Sequence, residues 1–165
     1  RVDRRQRQMC IRDSTITAAN ASSISDGASA LVLTRESSLA GRDPLAQIVA
    51  HATHSIHPSE FTLAPIGAIE KLLAKTGWDL DSVDLFEINE AFAMVTMLTS
   101  QSLGLDPAKV NVFGGACAQG HPIGSTGSRL IVTLAHAMKN QGKKRGIAAL
   151  CIGGGEATAV ALERN

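Results

Sequence analysis

Aromatic side chains are scarce in this chain, 3% of 165 residues, whereas glycine alone supplies 15. A core with few rings must be built from small side chains, so close backbone packing around buried loops is expected. An excess of charge of either sign is also lacking. The formal net charge is +1, which argues against nucleic acid as the main partner. No apolar run approaches the length needed to span a bilayer, and no secretory core follows the first residues. Cys10, Cys117 and Cys151 are too widely spaced for a disulfide framework, so a reducing interior is expected. A Gly-Lys-Ser/Thr phosphate loop is absent, and the glycines form no dinucleotide fingerprint after a strand. What remains is globular: 44% hydrophobic, 19% charged, and of a size for one domain around one core.

Even the small charge is uneven. Residues 1–14 hold five arginines against Asp3 and Asp13, a surplus of three, and the rest carries 11 basic and 13 acidic residues. This stretch has no apolar periodicity. Its arginines invite a transit-peptide reading, but the two aspartates and the missing amphipathic stripe oppose it. It reads as a non-native or disordered tail, and residues 15–165 as the domain.

Apolar runs and punctuation divide the domain. Residues 28–33, after Asp26-Gly27, read as a short buried strand, and Leu45 to Ala52 as a second. A brief helix is expected over 37–41 and a polar loop over 54–62. The first clear helix starts at Pro65, places Ile66, Ile69 and Leu73 on one face, and stops at Gly77. A strand over 85–88 leads into a helix over about 91–103 that ends at Gly104. A third helix, over about 125–140, carries Leu130, Ile131, Leu134 and Met138 and stops at Gly142. The end reads as a hairpin, 147–151 and 157–162, turning at Gly153-Gly154-Gly155. Strands alternating with helices predict an α/β domain: a mixed sheet of about five strands with helices on both faces.

Three segments concentrate the chemistry: Asn89-Glu90-Ala91-Phe92-Ala93, Gly114-Gly115-Ala116-Cys117-Ala118-Gln119-Gly120-His121-Pro122-Ile123-Gly124, and Cys151-Ile152-Gly153-Gly154-Gly155. Each offers a reactive or hydrogen-bonding side chain at the edge of a regular element. His121 reads either as a satisfied loop histidine or as an imidazole aimed by Gly120, Pro122 and Gly124. Cys151 at a strand end is, alone, a small hydrophobe; the glycines beyond it open the backbone to a ligand. Asn89 is, in the plainer reading, an N-cap, with Glu90 a favourable charge in the first turn. His51, His54 and His57, three apart, would alternate faces of a strand, and no cysteine or carboxylate joins them, so no metal site is expected.

In this order the three segments resemble the C-terminal half of a thiolase of the acetyl-CoA acetyltransferase kind, and the similarity runs from about Ser14 onward. Phe61-Thr62-Leu63-Ala64-Pro65 looks most like acetoacetyl-CoA thiolases. The resemblance implies a thiolase-like C-terminal domain, with the N-terminal half and its acyl-accepting cysteine missing. It also implies reversible condensation and thiolysis of acyl-CoA thioesters, no organic cofactor, and no activity in this fragment alone. His121 would take the nucleophile's proton and then hydrogen-bond a thioester oxygen. Cys151 would be the base toward acetyl-CoA, the Gly153 amide would hold an oxyanion, and Asn89 would hold a water at the enolate. Ala91 and Phe92 would line the pantetheine tunnel, which Cys117 and Gln119 would shape. Thr17-Ala18-Ala19-Asn20-Ala21-Ser22 resembles the segment that meets coenzyme A, through Ala18, Ala21 and Ser22. Relatives with this stretch sometimes bind a potassium ion through its backbone. The implied partners are the missing half and a second copy in a homodimer or homotetramer, bacterial cytoplasmic or mitochondrial. An exposed apolar patch would mark the orphan interface. Two other readings stay open: a degradative 3-ketoacyl-CoA thiolase, and a non-catalytic acyl-CoA-binding subunit of the same fold.

Overall fold

The computed structural model describes residues 16–165; the tail proposed for 1–14 lies outside them. Four strands form one mixed sheet: β1 (Gln47–Ser55), β2 (Leu85–Ile88), β3 (Arg145–Ile152) and β4 (Glu156–Glu163), in the order β1-β4-β3-β2. β4 pairs antiparallel with both neighbours, and β2 pairs parallel with β3. A parallel pair needs a crossover. Here it consists of α2 (Ala93–Leu103), the short α3 (Ala116–Gln119) and α4 (Thr126–Gln141). α1 (Ala64–Thr76) joins β1 to β2.

The two faces are covered by different helices, as the α/β reading requires. Alternation along the strands explains the division. Ile147, Ala149, Ala157, Ala159 and Ala161 turn to one side and pack with Ala64, Ala68, Ile69 and Leu72 of α1. Ala148 and Leu162 turn to the other and pack with Leu130, Leu134 and Met138 of α4. Small residues set the spacing: a side chain at Gly146 would reach within 2.7 Å of Met138 Sδ and 2.8 Å of Leu134 Cδ1. The dearth of rings therefore goes with helices seated close on the sheet.

Pro65 lies in the first turn of α1, and the helices close where Gly77, Gly104 and Gly142 were read as stops. β1 runs further than expected, through His54 to Ser55. His51 is exposed, His54 is half-buried against Gly67, and His57 caps a 3-10 turn, Pro58–Leu63, by accepting from the Ser59 amide. The three histidines share no site.

One expected strand is corrected. Residues 28–33 pair with no strand among the described residues, and Val32 is 98% exposed. An apolar run becomes a strand only where an edge receives it, and β1, the nearest edge in sequence, pairs with β4 alone. The sheet thus has four strands rather than about five. The expected short helix nearby is a 3-10 turn, Glu36–Ser38. Exposed apolar side chains do occur beyond this segment, at Ile24, Met97, Phe113 and Ile123.

Candidate active site

The parallel pair β2–β3 ends at one rim of the sheet, and the three motif segments gather there. Such carboxyl-end rims are where open α/β sheets place ligands. The Asn89 amide donates to Ala149 O at 2.9 Å and so extends the pairing one residue past β2. Its side chain is 1% exposed, and Oδ1 accepts from Arg129 Nη2 at 3.1 Å. The N-cap of α2 is Phe92, so the N-cap reading of Asn89 fails. The first-turn reading of Glu90 fails with it. Its carboxylate instead accepts from Cys117 N at 3.0 Å and Asn111 Nδ2 at 3.3 Å, tying the glycine-rich loop to the end of β2. Gly115 leaves the room that this carboxylate occupies.

Asn111 closes the free edge of β2. Its Oδ1 accepts from Ile88 N at 2.8 Å and its Nδ2 donates to Ile88 O at 2.9 Å, replacing a strand partner. Gln119 donates to the carbonyls of Phe113 and Gly114, so it holds the loop shut.

His121 leaves α3 and enters α4, and its backbone N donates to Ser23 O. Nδ1 lies 2.7 Å from Thr126 Oγ1, and that hydroxyl donates to Pro122 O at 2.9 Å. A threonine hydroxyl has one proton. Committed to Pro122 O, it can only accept from the ring, so Nδ1 carries the hydrogen and Nε2 keeps its lone pair. Burial, aided by the positive charge of Arg129, lowers the His121 pKa. The ring is therefore a neutral imidazole with a proton-accepting Nε2.

Cys151 is half-buried next to the last residue of β3, and desolvation raises its thiol pKa. By strand alternation it packs against the α1-side cluster, whereas Asn89 reaches toward α4. Among the described residues no hydrogen bond joins the thiol to His121 or Asn89. The structure brings His121 and Asn89 together around Arg129, and adds Cys151 through the shared rim. Of the three glycines beyond it, Gly153 and Gly155 differ. Gly155 has φ 89°, and a side chain there would collide with the Ile56 carbonyl. Gly153 has open space where a side chain would stand, so neither packing nor a left-handed backbone requires a glycine there.

Residues 20–24 stitch these pieces together. The N and Oγ of Ser22 both donate to Ala91 O, at 3.2 and 2.9 Å, and Ala93 N donates to Asn20 O. Ala21 bridges Phe92, and Ile24 bridges His121. Ala18 is exposed on the preceding turn. Phe92 meets Phe61 edge-on, 6.1 Å between centroids, and packs against the α1-side cluster. The Ser22 hydroxyl proton is thus committed within the chain, which leaves its oxygen lone pairs for a ligand.

Beneath the rim lie two ionisable groups, Glu87 and Arg129, that feel each other's charge without a hydrogen bond between them, both Glu87 oxygens being buried without a partner. Glu87, 1% exposed, has its pKa raised to about 7 by desolvation, with Arg129 charge opposing and Glu90 charge adding. Burial lowers the Arg129 pKa, while Glu87 and Glu90 raise it. The motif reading missed both residues. The available signals were a carboxylate inside the apolar run Leu85-Phe86-Glu87-Ile88 and a cation near the N-terminus of α4, where the helix dipole disfavours it. Among the described residues no three His, Cys, Asp or Glu form a group suited to a metal ion.

The family profile described as thiolase, C-terminal domain, matches residues 42–164. The chain belongs to the thiolase family. It is 49% identical to the cytosolic acetyl-CoA acetyltransferase of Rattus norvegicus over 152 residues, which are 91% of this chain and 38% of that protein. The crystal structure of the Bacillus anthracis acetyl-CoA acetyltransferase superposes with a TM-score of 0.89 at 44% identity, over 92% of this chain and 39% of that one. Human mitochondrial 3-ketoacyl-CoA thiolase in complex with CoA gives 0.89 at 41%, over 93% and 39%. The matched residues, 42–164, hold all four strands and all four helices, and the chain spans less than half the length of these relatives.

Proposed function

We propose that this thiolase domain is the C-terminal half of an acetyl-CoA acetyltransferase, acting on acyl-CoA thioesters by reversible Claisen condensation. The observation that carries the reading is the His121–Thr126–Pro122 relay, which leaves a lone pair on Nε2 of a neutral ring at the rim shared with Cys151. A domain that only bound its ligand would have no use for an oriented base at a rim that also carries a thiol.

The steps balance with two thiols and one imidazole. His121 takes the proton of a cysteine thiol supplied by the other half, and that thiolate attacks the acetyl-CoA carbonyl. The Gly153 amide holds the oxyanion. As the carbonyl re-forms, the coenzyme A thiolate leaves and takes the Cys151 proton, so Cys151 becomes the thiolate. It then removes a methyl proton from a second acetyl-CoA, and the enolate attacks the acyl-cysteine. Asn89, through a water, and His121 face the enolate oxygen; the cysteine leaves and regains its proton from His121. A thiol whose pKa burial has raised is a strong base once ionised, as an α-carbon acid requires. Ala18, Ala21, Ser22, Ala91 and Phe92 form the wall along which pantetheine runs. The complete protein works as a homodimer or homotetramer, in bacterial cytoplasm or in mitochondria.

Similarity to the human mitochondrial 3-ketoacyl-CoA thiolase favours a second reading, thiolytic cleavage of longer acyl chains by the same residues. Comparing acetoacetyl-CoA with longer 3-ketoacyl-CoA substrates on the complete protein separates the two.

The base assignment is tested by Cys151→Ala in the complete protein. Loading of the nucleophile from acetyl-CoA should survive better than carbon chemistry. Deuterium exchange at the acetyl methyl should fall by about a hundred- to ten-thousandfold. Exchange at the parent rate with loading abolished would remove Cys151 from the role.

A further inference from the structure

Asn89 carries an amide whose two ends are nearly the same shape but opposite in hydrogen-bonding sense. Arg129 breaks the tie. A guanidinium has donors only, so the amide atom 3.1 Å from Nη2 must be the oxygen. The Asn89 NH2 is thereby forced to the other side, where Nδ2 is buried with no acceptor among the described residues. A buried donor without a partner is rare and points to a role.

Arg129 is itself an unusual choice for this place. It lies near the N-terminus of α4, against the helix dipole, and its Nη1 is also buried without a partner. The opposing charge comes from β2 and the residue pair that follows it: Glu87 and Glu90 both attract the guanidinium. His121, on the loop before α4, feels the same cation. From β3 the paired residue opposite Glu87 is Ala148, which brings no charge. Burying a cation here costs stability that an apolar residue of similar length would spare, so packing alone does not explain it.

We propose that Arg129 is a positioning residue: by donating to Asn89 Oδ1 it locks the Asn89 amide with its NH2 facing the reaction site. The inference rests on the acetyltransferase reading only for what Asn89 does there. The lock itself belongs to this chain.

Two measurements test it. The first is made on the 165-residue chain. Its Asn89 side-chain NH2 should give a distinct, slowly exchanging pair of proton signals, and Arg129→Met should merge them or speed their exchange. An unchanged pair in the variant overturns the lock, whatever the protein catalyses. The second is a double-mutant cycle in the complete protein, read as deuterium exchange at the acetyl methyl. Asn89→Ala and Arg129→Met should each slow exchange, the arginine variant by about tenfold or more. The double variant should be no slower than Asn89→Ala alone, within about twofold. Losses that multiply would show that Arg129 acts by another route and would overturn the inference. Where Arg129→Met does not fold, Arg129→Lys carries both tests, because it keeps the charge but loses the guanidinium nitrogen that reaches Asn89 Oδ1; partial loss with the same non-additivity supports the lock, and parent behaviour in both overturns it. Failure of Asn89→Ala to slow exchange would instead remove Asn89 from the chemistry, leaving the signal of the first test to decide the lock.

Discussion

Glu87→Gln isolates the cost of holding a carboxylate beneath the site. In the folded chain this group ionises near 7, against an ordinary 4.5, chiefly because burial strips its solvent. Between those values the folded chain keeps a proton that the unfolded chain has lost. Stability therefore falls as pH rises through that window, and the full penalty is present above about 7. About 2.5 pH decades at about 1.4 kcal/mol each give about 3 kcal/mol, as an upper bound. Glutamine has nearly the same shape and does not titrate. Urea unfolding of both chains at pH 5 and pH 8 is the assay, with the midpoint converted through the slope. The parent should lose up to about 2.5 kcal/mol over that interval relative to the variant, and the variant should be the more stable of the two at pH 8. His121 acts with the opposite sign. Its lowered pKa makes stability fall as pH drops below 6.5, but both chains share this, and it cancels in the difference. Parallel behaviour of parent and variant from pH 5 to 8 would refute the argument, because no other difference between them titrates there.

Two further outcomes follow from the site geometry. Thr126→Val removes the acceptor that fixes the His121 tautomer, so loading of the nucleophile in the complete protein should fall by about tenfold or more while Thr126→Ser retains it; equal loading in Thr126→Val would show that the hydroxyl does not set the ring. Gly155→Ala must fit a side chain against the Ile56 carbonyl at φ 89° and should cost about 2 kcal/mol or more in urea unfolding, whereas Gly153→Ala should stay within about 0.5–1 kcal/mol of the parent; similar costs at both positions would contradict the separation drawn between them.

Local features of the chain were legible because their causes are local. Pro65 and Gly77 bracket α1 through backbone restrictions that neighbours do not alter, and the apolar runs around Gly153–Gly155 could hardly avoid folding back as a hairpin. The mount of His121 was equally plain, since Gly120 and Pro122 act on the residues beside them. The family was legible for the same reason, its motifs being continuous stretches. Long-range pairing was not. Residues 28–33 have the composition of a strand, yet a strand exists only where an edge accepts it, and here no edge among the described residues does. Glu90 looked like a helix-end charge because its partners, Asn111 and Cys117, lie more than twenty residues away. The commitment of the Ser22 hydroxyl to Ala91 spans 69 residues, and the bond from Arg129 to Asn89 spans 40. The sequence by itself determined which helices and hairpin form and which side chains can do chemistry. Tertiary structure alone decided which way the Asn89 amide faces, which nitrogen of His121 holds the proton, and that Glu87 ionises near 7. Each of these depends on a partner brought in from far along the chain and on the exclusion of water around it.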